Sequence, residues 1–122
     1  MTQEEKELLI KDICARLPYG VIMTNIKLPE TNYPLTCEDL HDAMFDDDWD
    51  DVPYLRPMSS MTEDEKKEFN QFGCGVLECS PQFEIEEFYK VIDWLNTHHF
   101  DYRNLIGKEL ALKAPDGMYK TE

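Results

Sequence analysis

The 122 residues predict an α+β fold: a small, mainly antiparallel sheet with about three helices packed on it. Two stretches, residues 3–17 and 80–97, repeat apolar side chains at helical spacing behind recognisable cap signals. Three short runs, 20–28, 74–79 and 109–114, are β-branched or alternating and lie between turn residues. No internal repeat, low-complexity linker or shift of composition divides the chain, so one domain covering residues 1–122 is expected, long enough to bury about two-thirds of its unfolded surface.

Taken in order, Thr2 and Glu5 have capping-box spacing, and Leu9, Ile10, Ile13, Cys14 and Leu17 mark the apolar side of the first helix. Pro18 and Gly20 stop it. The run GVIMTNIKL reads as a strand, and residues 29–34, with a proline at each end, read as a loop. Thr36 offers a cap to a short segment through Leu40, Ala43 and Met44 that fits a helix or a strand. The run FDDDWDD reads as a surface loop, because neighbouring aspartates repel one another unless solvated. In PYLRPMSSMT, Pro53 and Pro57 impose extended backbone on themselves and on the residues before them. Thr62 with Glu65 then caps a helix over residues 63–72 that ends at Gly73, with Phe69 and Phe72 on one side. Ser80 and Pro81 open the last helix, whose apolar stripe is Ile85, Phe88, Ile92 and Leu95, with Val91 and Tyr89 alongside. A turn near Gly107, a strand at Leu110–Ala114 and a Pro115–Gly117 turn close the chain.

Charge is the outlying property. Twenty-six Asp and Glu against twelve Lys and Arg leave a net charge of −14. Such a field repels nucleic acid and anionic membranes and favours cationic partners, so direct nucleic-acid binding and membrane association are not expected. No run approaches the roughly 18 apolar residues of a membrane span, and MTQEEKELL lacks the basic and apolar regions of a signal peptide. The four cysteines, at 14, 37, 74 and 79, form no C-x-x-C pair and no regular framework. They are expected to be reduced and largely buried, in a cytoplasmic protein.

The residues that could carry chemistry give no enzyme signature. Asp46, Asp47, Asp48, Asp50 and Asp51 fail as a calcium loop, because Asp51 falls where glycine is needed and Pro57 where a bidentate glutamate is needed. His98 and His99 with Asp101 could supply a base and its orienting carboxylate. As helical neighbours about 100° apart, however, the two rings would not converge on one metal ion. Cys74, between Gly73 and Gly75, is an accessible thiol candidate with no base in view. Nucleophile-elbow, phosphate-loop, zinc-helix and dinucleotide fingerprints are absent, and neither cofactor nor metal is expected. The three arginines, Arg16, Arg56 and Arg103, sit beside tyrosines in RLPY, YLRP and DYR. In so acidic a chain they are expected to be structural pins, each paired with a carboxylate.

Four phrases, KDICARLPYGV, DVPYLRPMSSMTEDEKKEF, DWLNTHHFDYRNLI and LALKAPDGMY, cover about half of the chain. They resemble a family of small proteins of gut-anaerobe genomes, prophages and mobile elements. The chain departs from the family's phrase at Asn104, where glycine is usual, and residues 29–51 and 73–84 are its own. The resemblance implies neither an activity nor site residues. Joined to the charge, it leads to the expectation of a non-enzymatic protein-interaction module, oligomeric state open. In its sharpest form the module inhibits a host nucleic-acid enzyme, with the five aspartates standing in for phosphates in a cationic groove of a partner protein. The alternative is a small metal- or cysteine-dependent enzyme using His98, His99, Asp101 or Cys74.

Overall fold

The computed structural model describes residues 2–70 and 85–119. The expected strand at 74–79, its Cys74, Phe72 with the Gly73 cap, and the Ser80–Pro81 helix start lie outside the described residues.

The architecture is α+β. Helix α1 (Gln3–Arg16) leads through a 3-10 turn into strand β1 (Ile22–Asn25), followed by β2 (Leu28–Pro34) and α2 (Cys37–Phe45). Strand β3 (Asp51–Leu55), helices α3 (Glu63–Asn70) and α4 (Ile85–Thr97) and the short β4 (Leu112–Lys113) complete it. The sheet runs in the order β2-β1-β3-β4, antiparallel except for the parallel β3–β4 pair.

The two expected capping boxes, at Thr2 and Thr62, close, and a third forms at Thr36, which the sequence offered only as a cap. Thr2 and Glu5, Thr36 and Asp39, and Thr62 and Glu65 each exchange side-chain and backbone bonds at the starts of α1, α2 and α3. A fourth helix therefore joins the three expected, at the Thr36 segment whose type the sequence left open.

Residues 29–34, expected to be a loop, instead pair with β1 as an edge strand, Tyr33 opposite Met23 and Pro34 opposite Ile22. Prolines are tolerated there because an outward edge has no neighbour waiting for an N–H. The hairpin turns at Ile26 and Lys27 without the usual glycine, because Asn25 Oδ1 accepts the Lys27 N–H at 2.9 Å. The run expected to be one strand over 20–28 is consequently two arms of a hairpin. Pro53 lies inside β3, but β4 pairs only with Tyr54 and Leu55, the two residues after it. The last strand is likewise shorter than the expected 109–114.

One core forms where Leu9 and Ile13 of α1 meet Val21, Met23, Leu40, Ala43, Val52, Leu55 and Leu105. Leu9 and Ile13 are fully buried, each worth about 1.5–3 kcal/mol of transfer free energy. A second cluster gathers Val91, Leu95 and Phe100 with Phe69, Met58 and Met61 around it. The buried stripe of α1 is Leu9, Asp12, Ile13 and Arg16, not the all-apolar one expected. That rotation leaves Cys14 exposed, and Cys37, in the first turn of α2, is exposed too. The expectation of buried thiols is thereby corrected for these two cysteines.

Helix α4 ends in a Schellman closure. The Phe100 N–H donates to Leu95 O at 3.0 Å and the His99 N–H to Asn96 O at 3.1 Å, with His99 at φ 62 in the left-handed position usually given to glycine. The same pattern recurs downstream, where Leu110 N–H bonds Leu105 O and Glu109 has φ 62.

Candidate interaction site

The aspartate run divides into two parts. Asp51 begins β3 and Asp50 precedes it, both half-buried. Asn25 Nδ2 donates to Asp50 Oδ1 at 2.7 Å and to Asp51 Oδ1 at 2.8 Å, and the Tyr33 hydroxyl donates to Asp51 Oδ2. Burial first, then the bond to the Asp51 carboxylate, push the Tyr33 phenol well above its ordinary pKa. These two aspartates staple the loop to the β1–β2 hairpin, aided by a 3.5 Å contact between Lys27 Nζ and Asp50. Asp46, Asp47 and Asp48 are exposed. Their turn is built rather than loose: Asp48 N–H donates to Asp46 Oδ1, Trp49 N–H to Asp46 O, and Lys6 Nζ from α1 to the same Asp46 carbonyl at 2.7 Å.

Beside this turn, α2 ends in aromatic surface. Phe45, its last residue, is 73% exposed, the highest value among the large exposed hydrophobics of the described residues. One helical turn back, the His41 ring lies 4.7 Å from the Phe45 ring, centroid to centroid. Trp49 packs partly into the core, and its indole N–H donates to Asp51 O at 3.1 Å, which holds the ring in place. His41, Asp42, Phe45, Asp46 and Trp49 together line a notch of about 270 Å³. Sequence reading singled out the aspartates but not this aromatic wall. Its available signal was the His41–Phe45 spacing of four running directly into the acidic turn.

The histidines and Asp101 lie elsewhere, and the fold does not bring them together as a reacting set. Both Asp101 oxygens are taken up, one by the Leu105 N–H at 2.8 Å and the other by the Ile106 N–H at 2.9 Å. His98 donates from Nδ1 to Trp94 O at 2.9 Å and stacks on Trp94. His99 is buried and stacks on Tyr119. Burial, with the nearby Arg16 charge second, pushes its pKa down to about 4. Among the described residues no group of three or more His, Cys, Asp or Glu is placed to hold a metal ion.

The arginines are engaged as follows. Arg56 bonds Glu65 through both terminal nitrogens at 2.7 Å and lies 4.3 Å from the Phe100 ring. The bond from Arg56 is the main cause holding Glu65 down to about 2. Asp12 accepts from Arg16 Nε at 2.7 Å and from Arg103 Nη1 at 2.8 Å, while Arg16 Nη2 also donates to Phe100 O. Arg16 Nη1 and His99 Nδ1 are buried without a hydrogen-bond partner among the described residues.

A larger cleft of about 440 Å³ opens between Arg56–Thr62 and Lys113–Tyr119. Arg56 on its wall is already paired with Glu65 through both terminal nitrogens. Tyr119, unremarked in the sequence, is the anchor of this segment: its hydroxyl donates to Tyr54 O at 2.7 Å and accepts from Ile22 N–H at 2.8 Å. Burial raises its phenol to about 12.

No described helix is long and apolar enough to cross a membrane. Compared with protein-family models, curated proteins and solved structures, the chain matches none.

Proposed function

We propose that the protein is a non-enzymatic protein-interaction module of the cytoplasm that presents its acidic turn to a partner with a basic surface. The observation that carries this reading is the division within the aspartate run: Asp50 and Asp51 are bonded into the fold, whereas Asp46, Asp47 and Asp48 are held outward on a built turn. A rigid presentation of carboxylates lowers the ordering cost of association, and the net charge of −14 steers a cationic partner toward it. The engagement of Asp101 and the burial of His99 support a binding role over a catalytic one for that segment. The sharper form, in keeping with the resemblance to mobile-element proteins, is an inhibitor of a nucleic-acid enzyme in which these three carboxylates occupy phosphate positions.

The test is a triple variant, Asp46→Asn, Asp47→Asn and Asp48→Asn, that leaves the bonded Asp50 and Asp51 untouched. Partners retained from host lysate by the wild type at low salt should associate roughly tenfold more slowly with the variant, and with a flatter salt dependence. Equal association rates for the two proteins would end the proposal.

A further inference from the structure

Resting on that reading, we propose that the notch beside the acidic turn receives an arginine side chain of the partner. The guanidinium would lie between the rings of Phe45 and Trp49, with its edge toward Asp42 and Asp46. Three properties select this occupant. At about 270 Å³, the notch is below the roughly 300–1,000 Å³ of drug-sized sites and suits a single side chain. Phe45 and Trp49 line it, and a planar, weakly hydrated guanidinium stacks on aromatic rings better than an ammonium does. Its rim carries Asp42 and Asp46, so charge complementarity favours a cation over an apolar side chain. The site is preorganised: Trp49 is fixed by its bond to Asp51 O, and the Asp46 turn by Lys6 and Asp48. Lys6, bonded to the Asp46 carbonyl, is the neighbouring cation that an incoming arginine must meet, and His41 lies 3.9 Å from the Asp42 carboxylate.

The experiment titrates the full chain with acetyl-Gly-Arg-Gly-amide and with the same peptide carrying citrulline, which keeps the plane but not the charge. Nuclear magnetic resonance shifts of the Phe45 ring and the Trp49 indole N–H report occupancy. The arginine peptide should shift both saturably, and the citrulline peptide should bind at least about tenfold more weakly. Phe45→Ala, a change at an exposed position, should weaken binding by roughly three- to fivefold while leaving shifts in the sheet unchanged. Equal binding of the two peptides would overturn the proposal, as would arginine shifts spread over all the surface carboxylates and indifferent to Phe45→Ala. The second outcome would mean diffuse condensation on an acidic surface. Failure here together with loss of partner association in the triple asparagine variant would sink the notch and leave the interaction module standing. Arginine binding without any effect of the triple variant on partner association would do the reverse.

Discussion

Asp12 holds Arg16 from one helical turn away, with both side chains fully out of solvent and Arg16 Nε 2.7 Å from Asp12 Oδ2. Arg103 reaches the other oxygen from the far side, and Arg16 continues to the Phe100 carbonyl. One buried carboxylate thus ties α1 to the segment after α4, across 91 residues in the case of Arg103. Asp12→Ala should cost about 3–5 kcal/mol, because it leaves the Arg16 charge buried and unpaired. Arg103→Ala, at a partly exposed position, should cost about 1–2 kcal/mol. Urea unfolding of both variants measures the contrast, and equal losses would show that Asp12 does not depend on burial for its effect.

Two acid transitions are expected. His99 has its pKa lowered from 6.5 to about 4, so the unfolded chain binds its proton first. Its contribution is complete above the unfolded value and is lost as pH falls from about 6.5 toward 4, on the order of 2–3 kcal/mol. Glu65, lowered from 4.5 to about 2, loses its contribution below that window, between about 4.5 and 2. His99→Phe should flatten the upper limb of the stability profile and Glu65→Gln the lower one, followed by urea midpoints across pH.

Two of the left-handed residues, His99 and Glu109, both at φ 62, should respond oppositely to glycine. Glu109 is exposed, so Glu109→Gly relieves backbone strain and should stabilise by up to about 1 kcal/mol. His99→Gly relieves the same strain but forfeits the stack on Tyr119, centroids 3.7 Å apart, and the buried ring, so it should destabilise. Thermal melting distinguishes the two.

Asn104 and Gly107 should be coupled. A Cβ on Gly107 would lie 2.6 Å from Asn104 Oδ1, so Gly107→Ala alone must push the exposed Asn104 side chain off its rotamer, at a cost of up to about 1 kcal/mol. Asn104 itself sits at φ 59, where glycine is at ease. In an Asn104→Gly background the alanine should be tolerated, and an additive double-mutant cycle would show that the Asn104 side chain is not the obstacle.

Local signals were legible because their physics is local. The capping boxes at Thr2 and Thr62 need only a hydroxyl and a carboxyl three residues apart. The aspartate turn was visible as crowded charge, but its division was not, since Asp50 and Asp51 are drawn inward by Asn25 and Tyr33 on another element. The edge strand β2 was hidden by its prolines, which are tolerated where the outer side of an edge strand has no partner to bond. The buried stripe of α1 was hidden because Asp12 and Arg16 carry charge, although their spacing with Leu9 and Ile13 is that of a core face.

By itself, then, the sequence determined the α+β class, the starts of α1 and α3, the acidic field and the arginines as scarce charges in need of carboxylates. Only the tertiary structure decided which carboxylates those are: Asp12 for Arg16 and Arg103, and Glu65 for Arg56. It also decided that Phe45 and Trp49 would flank an acid-rimmed notch. The reason is that pairing energy depends on distance and burial, and both are set by elements that meet only when the chain closes.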